Sequence, residues 1–130
     1  MGHVNEQRLR ELYATFARGD LAGFLDGCTD DVIFAVPGYA YSSGTYSRDE
    51  FVPWISDVIG RTGGTFQEDV IDVFANDEHG VLLLFHHFDR EGERHEYHTA
   101  HIVEFRGDKI SRWTEHPGSM REFEAAWGRK

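Results

Sequence analysis

The sequence predicts an α+β domain in which a curved, mixed and mostly antiparallel sheet forms a cone around helices and leaves an internal pocket. Two apolar runs, Val81 to Phe88 and Tyr97 to Phe105, flank a turn-like segment, and Lys109 to His116 follows a second turn. Helical periodicity is confined to the segments before and after this meander. At 130 residues, one domain spanning residues 1–130 is expected to have its own core.

The first half of the chain predicts three helices and one strand. An apolar stripe at helical spacing indicates the first helix: Leu9, Leu12, Tyr13 and Phe16. Asp20 can cap a short second helix, and Thr29 to Asp31 is expected to interrupt the apolar stripe of that helix before a strand at Val32 to Val36. A capping box at Ser47 to Glu50 predicts the third helix, for which Pro53 suggests a late start or a bend.

The second half predicts four strands and a terminal helix. Thr65 to Ala75 is rich in strand-forming residues and leads into the meander, and Ser119 to Glu122 can cap the last helix. The expected order is helix, helix, strand, helix, four strands, helix. Residues 1–4 are expected to be disordered or a cloning remnant, so His3 receives no role.

Charge and composition exclude several partners. The chain has 13 basic and 23 acidic residues, a net charge of −10, which disfavours binding to nucleic acid and to anionic membranes. The longest apolar run, Val81 to Phe85, is too short to span a bilayer. Cys28 is alone, and the charged N-terminal segment does not resemble a signal peptide, so we expect a cytoplasmic protein.

The same apolar run predicts a homodimer. Every residue from Val81 to Phe85 is apolar, so both faces of that strand need cover, whereas the helices can cover one. The outer face is expected to meet a second copy through a patch that includes Leu83, Phe85, Ala100 and Ile102.

The histidines of the meander do not predict a metal site. Side chains alternate along a strand, so His98 faces away from His95 and His101, which are themselves roughly 20 Å apart at about 3.3 Å per residue. His86 and His87 likewise point to opposite faces. No glycine-rich phosphate-binding loop is present in the sequence, so we predict neither a metal nor a cofactor.

Several motifs resemble one superfamily. They are Arg18-Gly19-Asp20-Leu21 after the first helix, Asp30-Asp31 before a strand, and Phe105 to Ile110 ahead of a tryptophan. In these features the chain, from about Leu9 to Trp127, resembles the nuclear transport factor 2-like superfamily. That superfamily includes SnoaL-like polyketide cyclases, ketosteroid isomerases, scytalone dehydratase and limonene epoxide hydrolase. The resemblance implies the cone fold, which hosts several chemistries and also non-enzymatic binders.

The resemblance implies which side chains enter the pocket. An even hairpin loop sets His86 opposite Tyr97 and Leu82 opposite His101. In the superfamily, Val103 and every second residue before it on the strand face the cavity. This implies that His101, Thr99 and Tyr97 line the cavity, together with His86, which lies opposite Tyr97. A shift of the hairpin register by one residue would instead turn His86 outward and His87 into the cavity.

The superfamily's catalytic residues carry over only in part. The ketosteroid isomerase positions fall on Leu12 or Tyr13, Val36 and Val103, which argues against that activity. His86 is similar to one scytalone dehydratase histidine, and His98 or His101 to the other, but that enzyme's aspartate position falls on Ala17. Glu115 matches the register of the SnoaL-like acid/base residue, counted from Lys109, although Trp113 lies one place early.

We therefore expect a cofactor-independent enzyme that transfers protons on a hydrophobic, oxygenated small molecule by cyclisation, isomerisation, dehydration or epoxide opening. Glu115 would be the acid/base, its pKa raised by burial against Trp113; His101 or His86 would be its proton partner, and Tyr97 would orient a substrate oxygen. Further candidates for substrate contact are Trp113, Trp54, Tyr13, Phe16, Tyr39 and Thr99. Glu115 could instead be a solvated strand end, and Trp54, Tyr13 and Phe16 could be core. The alternative function is a non-catalytic module that binds an apolar small molecule.

Overall fold

The computed structural model describes residues 2–130. Its helices are α1 (Val4–Ala17), α2 (Leu21–Asp26), α3 (Arg48–Gly60) and α4 (Met120–Trp127). Its strands are β1 (Cys28–Val36), β2 (Gly44–Ser47), β3 (Gln67–Ala75), β4 (His79–Arg90), β5 (Glu93–Arg106) and β6 (Lys109–Pro117).

The six strands form one sheet in the order β2-β1-β6-β5-β4-β3. Neighbouring strands are antiparallel except for β1 and β6, which are parallel. The predicted α+β class with a mixed, mostly antiparallel sheet is therefore confirmed. The β4–β5 hairpin turns through Glu91 and Gly92, which both adopt positive φ, 55° and 79°. Two such residues give the twist that a tight two-residue hairpin requires.

The helices pack against one face of the sheet. Leu9 of α1 is fully buried and approaches the backbone of β4 at Gly80, where a Cβ atom would lie 2.6 Å from the Leu9 side chain. A larger residue at position 80 would therefore force the buried Leu9 side chain to shift. Phe24, Phe51 and Phe123 bring α2, α3 and α4 into the same core.

Three sequence expectations about element bounds are wrong. β2 was not expected, and it pairs with β1 from Ile33 opposite Ser47 to Val36 opposite Gly44. β1 begins at Cys28 and not at Val32, so Thr29 to Asp31 belong to the strand; α2 ends before them, at Asp26. The late start suggested for α3 is wrong, because the helix begins directly after Ser47, where Ser47 and Glu50 form the capping box, and it includes Pro53. The alternative, a bend at Pro53, stays a prediction.

The N-terminal residues also differ from expectation. His3 caps α1 by accepting a hydrogen bond from the Asn5 N–H at 3.0 Å, and Val4 is the first residue of that helix. His3, which was given no role, therefore has one as the N-cap of α1, while Met1 lies outside the described residues. The prediction that residues 1–4 are disordered or a cloning remnant stays a prediction.

No helix within residues 2–130 is both long enough and apolar enough to cross a membrane.

Candidate active site

A cavity lies between the concave face of the sheet and the helices. The cavity itself has a volume of about 70 Å³, and the space free of atoms rises to about 590 Å³ when its open mouth is included. Aromatic side chains form most of its wall, among them Phe16, Phe24, Phe51, Trp54, Phe66 and Trp113. The titratable side chains that line it are Tyr13, Glu68, His86, Tyr97, His101 and Glu115.

Strand alternation and register bring these polar groups together. His86 of β4 lies opposite Tyr97 of β5, and Leu82 lies opposite His101, as the hairpin loop predicted. On the other side of β5, His101 lies opposite Glu115 of β6. His86, His101 and Glu115 are all buried, at 4%, 4% and 6% exposure. A group of ionisable residues this deeply buried must satisfy its charges internally.

Two matching hydrogen-bond chains hold the histidines. In the first, the Trp113 indole N–H donates to the Tyr13 hydroxyl at 3.0 Å, and that hydroxyl lies 2.6 Å from His101 Nδ1. In the second, the Trp127 indole N–H donates to the Tyr97 hydroxyl at 2.7 Å, and that hydroxyl lies 2.9 Å from His86 Nδ1. Each histidine is thus fixed by a tyrosine that is itself fixed by a tryptophan.

These chains assign the tautomer of each neutral imidazole ring. Among residues 2–130, the imidazole Nδ1 is the acceptor within reach of each tyrosine hydroxyl proton. The hydroxyl therefore donates to Nδ1, and the ring proton is on Nε2. Both histidines consequently present an Nε2–H donor.

The two Nε2 atoms have different surroundings. His86 Nε2 donates to Glu68 Oε2 at 2.7 Å, and both side chains are nearly buried. His101 Nε2 is buried and has no hydrogen-bond partner within the described residues. It lies 3.6 Å from Glu115 Oε2, which is longer than a hydrogen bond.

Glu115 is held as a carboxylate. Its burial favours the neutral form, but the neighbouring His101 and His86 imidazoles and the hydrogen bond from Thr99 outweigh burial and lower its pKa below the ordinary value. The Thr99 hydroxyl donates to Glu115 Oε2 at 3.0 Å, and His86 Nδ1 lies 4.0 Å from the same oxygen. The expectation that burial against Trp113 would raise the pKa of Glu115 is therefore wrong, because the polar partners prevail over desolvation.

His86 is shifted towards its charged form. Burial by itself would lower its pKa, but the hydrogen bond and charge of Glu68, followed by the charge of Glu115, raise the pKa above the ordinary value. His86 therefore lies between two carboxyl groups on different strands.

The same residues include one set of potential metal ligands. Glu68, His86 and His101 each offer one ligand atom, and these atoms lie within 4.8 Å of one another. A metal bound to both Nε2 atoms would displace the ring protons to Nδ1, where they face the tyrosine hydroxyls. Each buried hydroxyl proton would then lose its acceptor, at a cost of about 1–3 kcal/mol.

The fold and this geometry agree with a family match. The family model described as a SnoaL-like domain matches residues 9–113 of the chain. The chain belongs to the SnoaL-like family.

Other proteins resemble this SnoaL-like protein over nearly its whole length. An uncharacterised protein of Mycobacterium tuberculosis is 28% identical over 121 residues, which cover 92% of both chains. The structure of Bal32a, from a soil-derived mobile gene cassette, superposes with a TM-score of 0.88 at 22% identity, covering 95% of both chains. TerC, co-crystallised with polyporic acid, gives a TM-score of 0.81 at 19% identity, covering 94% of this chain and 96% of TerC. At these identities the structural matches establish the nuclear transport factor 2-like fold.

Most of the sequence-predicted site residues of this SnoaL-like protein meet at the cavity. Eight of them line it, namely Glu115, His101, His86, Tyr97, Trp113, Trp54, Tyr13 and Phe16. Thr99 is buried behind the wall, where its hydroxyl holds Glu115. Tyr39 does not line this cavity: the residue is 73% exposed, and its ring lies 5.7 Å from the guanidinium carbon of Arg129.

Three participants were missed by sequence reasoning. Glu68 and Trp127 complete the second hydrogen-bond chain. Ser42 lines the cavity near Trp54, whose indole N–H donates to the Ser42 carbonyl at 3.1 Å, and its buried hydroxyl lacks a partner within the described residues. Trp127 shows a weak signal in the apolar face of the last helix, whereas Glu68 and Ser42 show none.

Proposed function

We propose that this SnoaL-like protein is an enzyme that catalyses acid–base proton transfer on a hydrophobic, oxygenated small molecule. One observation carries the proposal. A carboxylate held in its ionised form, Glu115, lies 3.6 Å from the unpartnered Nε2–H of His101 inside an aromatic cavity. A base and a free hydrogen-bond donor at this separation can act on the two ends of a C–H and C=O unit.

In the proposed step, the ligand carbonyl oxygen accepts a hydrogen bond from His101 Nε2–H. The Glu115 carboxylate removes a proton from the adjacent carbon, and the C–H electron pair moves into a carbon–carbon double bond as the oxygen becomes an enolate. His101 stabilises this oxygen by its hydrogen bond without releasing its proton. With a β,γ-unsaturated ketone, return of the proton from Glu115 to the γ-carbon of the dienolate completes an isomerisation. Attack of the enolate carbon on a second carbonyl forms a carbon–carbon bond and an alkoxide, which takes the proton from Glu115 and completes a cyclisation.

Several features support this assignment of roles. His101 packs against the Trp113 ring, with 4.3 Å between ring centroids, and its Nδ1 is held by Tyr13, so its Nε2–H has a fixed direction. Tyr97 cannot orient the substrate in the same way, because its hydroxyl is engaged by Trp127 and His86. We therefore assign substrate hydrogen bonding to His101 and a supporting role to Tyr97.

The nature of the cavity wall supports the substrate class. Aromatic rings favour a flat apolar ligand, and Ser42 offers a hydroxyl for a second oxygen of that ligand. The co-crystal of TerC with polyporic acid supports binding of an oxygenated organic molecule in a cone of this type.

Deuterium exchange tests the proposal. The protein in D₂O should accelerate loss of the α-proton NMR signals of 2-tetralone or a related aryl ketone above the buffer rate. Glu96→Gln, which changes an exposed glutamate of β5, should exchange as fast as the wild type. Thermal stabilisation by these ketones without exchange of any of them would show a binding module and overturn the proposed enzyme activity.

We also propose that the protein is a homodimer formed through the outer face of the sheet. Val81, Leu83 and Phe85 alternate with the buried residues of β4, and Phe74 of β3 lies opposite Val81. Leu83 is 39% exposed and Phe74 is 52% exposed. The same face carries the Asp69–His87 pair, so a two-fold arrangement can place acidic and imidazole groups of one copy against those of the other.

We propose a cytoplasmic location as well. Burial raises the pKa of the Cys28 thiol to about 12, so the thiolate needed for disulfide exchange is scarce at neutral pH. A lone, unreactive cysteine suits a reducing compartment.

A further inference from the structure

Glu68 is a buried acid that the proposed reaction does not use directly. It lies on β3, and its side chain is 9% exposed where it accepts the hydrogen bond from His86 Nε2. It lines the cavity and also the adjoining surface groove beside Ala17, Gly19 and Gln67. Burial of a carboxylate is costly without a partner, and His86 is the hydrogen-bond partner of Glu68.

Glu68 makes two otherwise matching hydrogen-bond chains unequal. Each chain runs from a tryptophan through a tyrosine to a histidine whose Nε2 carries the proton. In one chain this proton is donated to Glu68, and in the other it has no partner. Without Glu68, the cavity would contain two free imidazole donors instead of one.

We propose that Glu68 is a positioning residue that engages His86 and thereby leaves His101 as the single imidazole donor for the ligand. Both nitrogens of His86 are then occupied, Nε2 by Glu68 and Nδ1 by Tyr97, so His86 acts on the site through its charge. Its Nδ1 lies 4.0 Å from Glu115 Oε2. When the ring is protonated, Nδ1–H donates to the Tyr97 hydroxyl and the positive charge lowers the pKa of Glu115. The role in catalysis rests on the function proposed above, whereas the pairing itself does not.

The charged and titratable groups around His86 come from four elements. Glu68 and Asp69 belong to β3, Tyr97 and His101 to β5, Glu115 to β6 and Tyr13 to α1. Glu68 is the largest of the contributions that raise the pKa of His86, and burial acts in the opposite direction. Removal of the Glu68 charge should therefore lower the pKa of His86, because the effect of burial is then opposed by fewer neighbouring charges.

The chain contains a matched control for this pair. Asp69 and His87 follow Glu68 and His86 on the same two strands, and His87 Nε2 lies 3.0 Å from Asp69 Oδ2. This second pair faces outward, and the Asp69 side chain is 59% exposed. Asp69→Asn thus removes an acid from the same strand without removing a buried partner of the cavity.

The test is a ¹⁵N NMR titration of histidine-labelled protein, which needs no substrate. In Glu68→Gln, the amide oxygen can still accept the Nε2–H, so the ring should keep its position while its titration midpoint falls by one pH unit or more. In Glu68→Leu, the His86 Nε2–H resonance should also lose its hydrogen-bonded shift. In Asp69→Asn, the His86 midpoint should change by less than about 0.3 pH unit, since exposed charges are screened.

Two further readouts separate positioning from mere structural support. If ketone exchange is detected, Glu68→Gln should lower kcat with little change in KM. The acid limb of its pH–rate profile should also move to higher pH. Glu68→Asp, which keeps a carboxylate, should restore part of kcat. Unchanged His86 titration in Glu68→Gln, or an equal shift in Asp69→Asn, would overturn the inference. Absence of ketone exchange in every protein together with the expected His86 shift would overturn the proposed reaction and support the pairing.

Discussion

Replacement of Glu115 by glutamine removes the proposed base and retains most of its contacts. The glutamine side-chain oxygen can still accept the Thr99 hydroxyl, which donates to Glu115 at 3.0 Å. What disappears is the negative charge, 3.6 Å from His101 Nε2 and 4.0 Å from His86 Nδ1. We expect ketone α-proton exchange to fall on the order of 10²- to 10⁴-fold, because a positioned general base contributes about that much.

The same change has a predicted effect on stability and on its pH dependence. A charge-assisted contact of this kind contributes about 1–3 kcal/mol, which corresponds to roughly 3–10 °C in Tm for a domain of this size. Because the pKa of Glu115 is lowered in the folded protein, this stability is present above the unfolded pKa of about 4.3 and is lost as pH falls through the folded value. The stability difference between wild type and Glu115→Gln should therefore exist at pH 7 and vanish in acid.

The assay is NMR-detected deuterium exchange together with circular dichroism melting of both proteins at pH 7 and in acid. Glu96→Gln on the outer face of β5 serves as the control. Near-normal exchange by Glu115→Gln would refute the role of Glu115 as the base, and attention would move to His86 and His101. A stability difference that grows as pH falls would refute the ionised state assigned to Glu115.

Three other substitutions give independent checks. His101→Phe removes the free donor and should lower exchange about 10²- to 10³-fold, whereas unaltered exchange would exclude hydrogen bonding to the substrate by His101. Tyr13→Phe leaves the Trp113 N–H without an acceptor, so urea unfolding should show a loss of about 1–3 kcal/mol; full stability would mean that the chain is not structural. Leu83→Asp should convert the proposed dimer to a monomer in sedimentation velocity, and a monomeric wild type at micromolar concentration would contradict the interface.

Much of the site was predictable because strand alternation is a local rule. The even loop between β4 and β5 fixed the partner of His86, and the parity of β5 placed His101 and Tyr97 on one face. The position of Glu115 came from a family resemblance in register, which the cavity agrees with geometrically. These inferences depend on short sequence distances, where period-two patterns remain in phase.

Glu68 was not predictable, because β3 contains a bulge. Pairing with β4 shifts between Val70 and Asp72, so one extra residue interrupts the alternation. Val73 is buried beyond the bulge, and counting back from it in steps of two would place Glu68 on the outer face. A bulge reverses side-chain parity without a reliable sequence signal.

The ionisation of Glu115 was also beyond sequence reasoning. Desolvation can be anticipated for a carboxyl group near Trp113, but the opposing partners come from β4 and β5. Their distances depend on tertiary packing, and the sign of the pKa shift depends on which contribution is larger. The short strand β2 was missed for a related reason, since its four residues are recognisable as a strand mainly through pairing with β1.

A ¹³C NMR titration of the Glu115 side-chain carboxyl in the wild-type protein tests most directly whether the cavity holds a ready base. The resonance is assigned by its absence from Glu115→Gln. A titration midpoint below the ordinary glutamate value, with the carboxylate form present throughout neutral pH, is the predicted result. A midpoint above that value would show that burial prevails over His101, His86 and Thr99, and would contradict proton removal by an ionised Glu115.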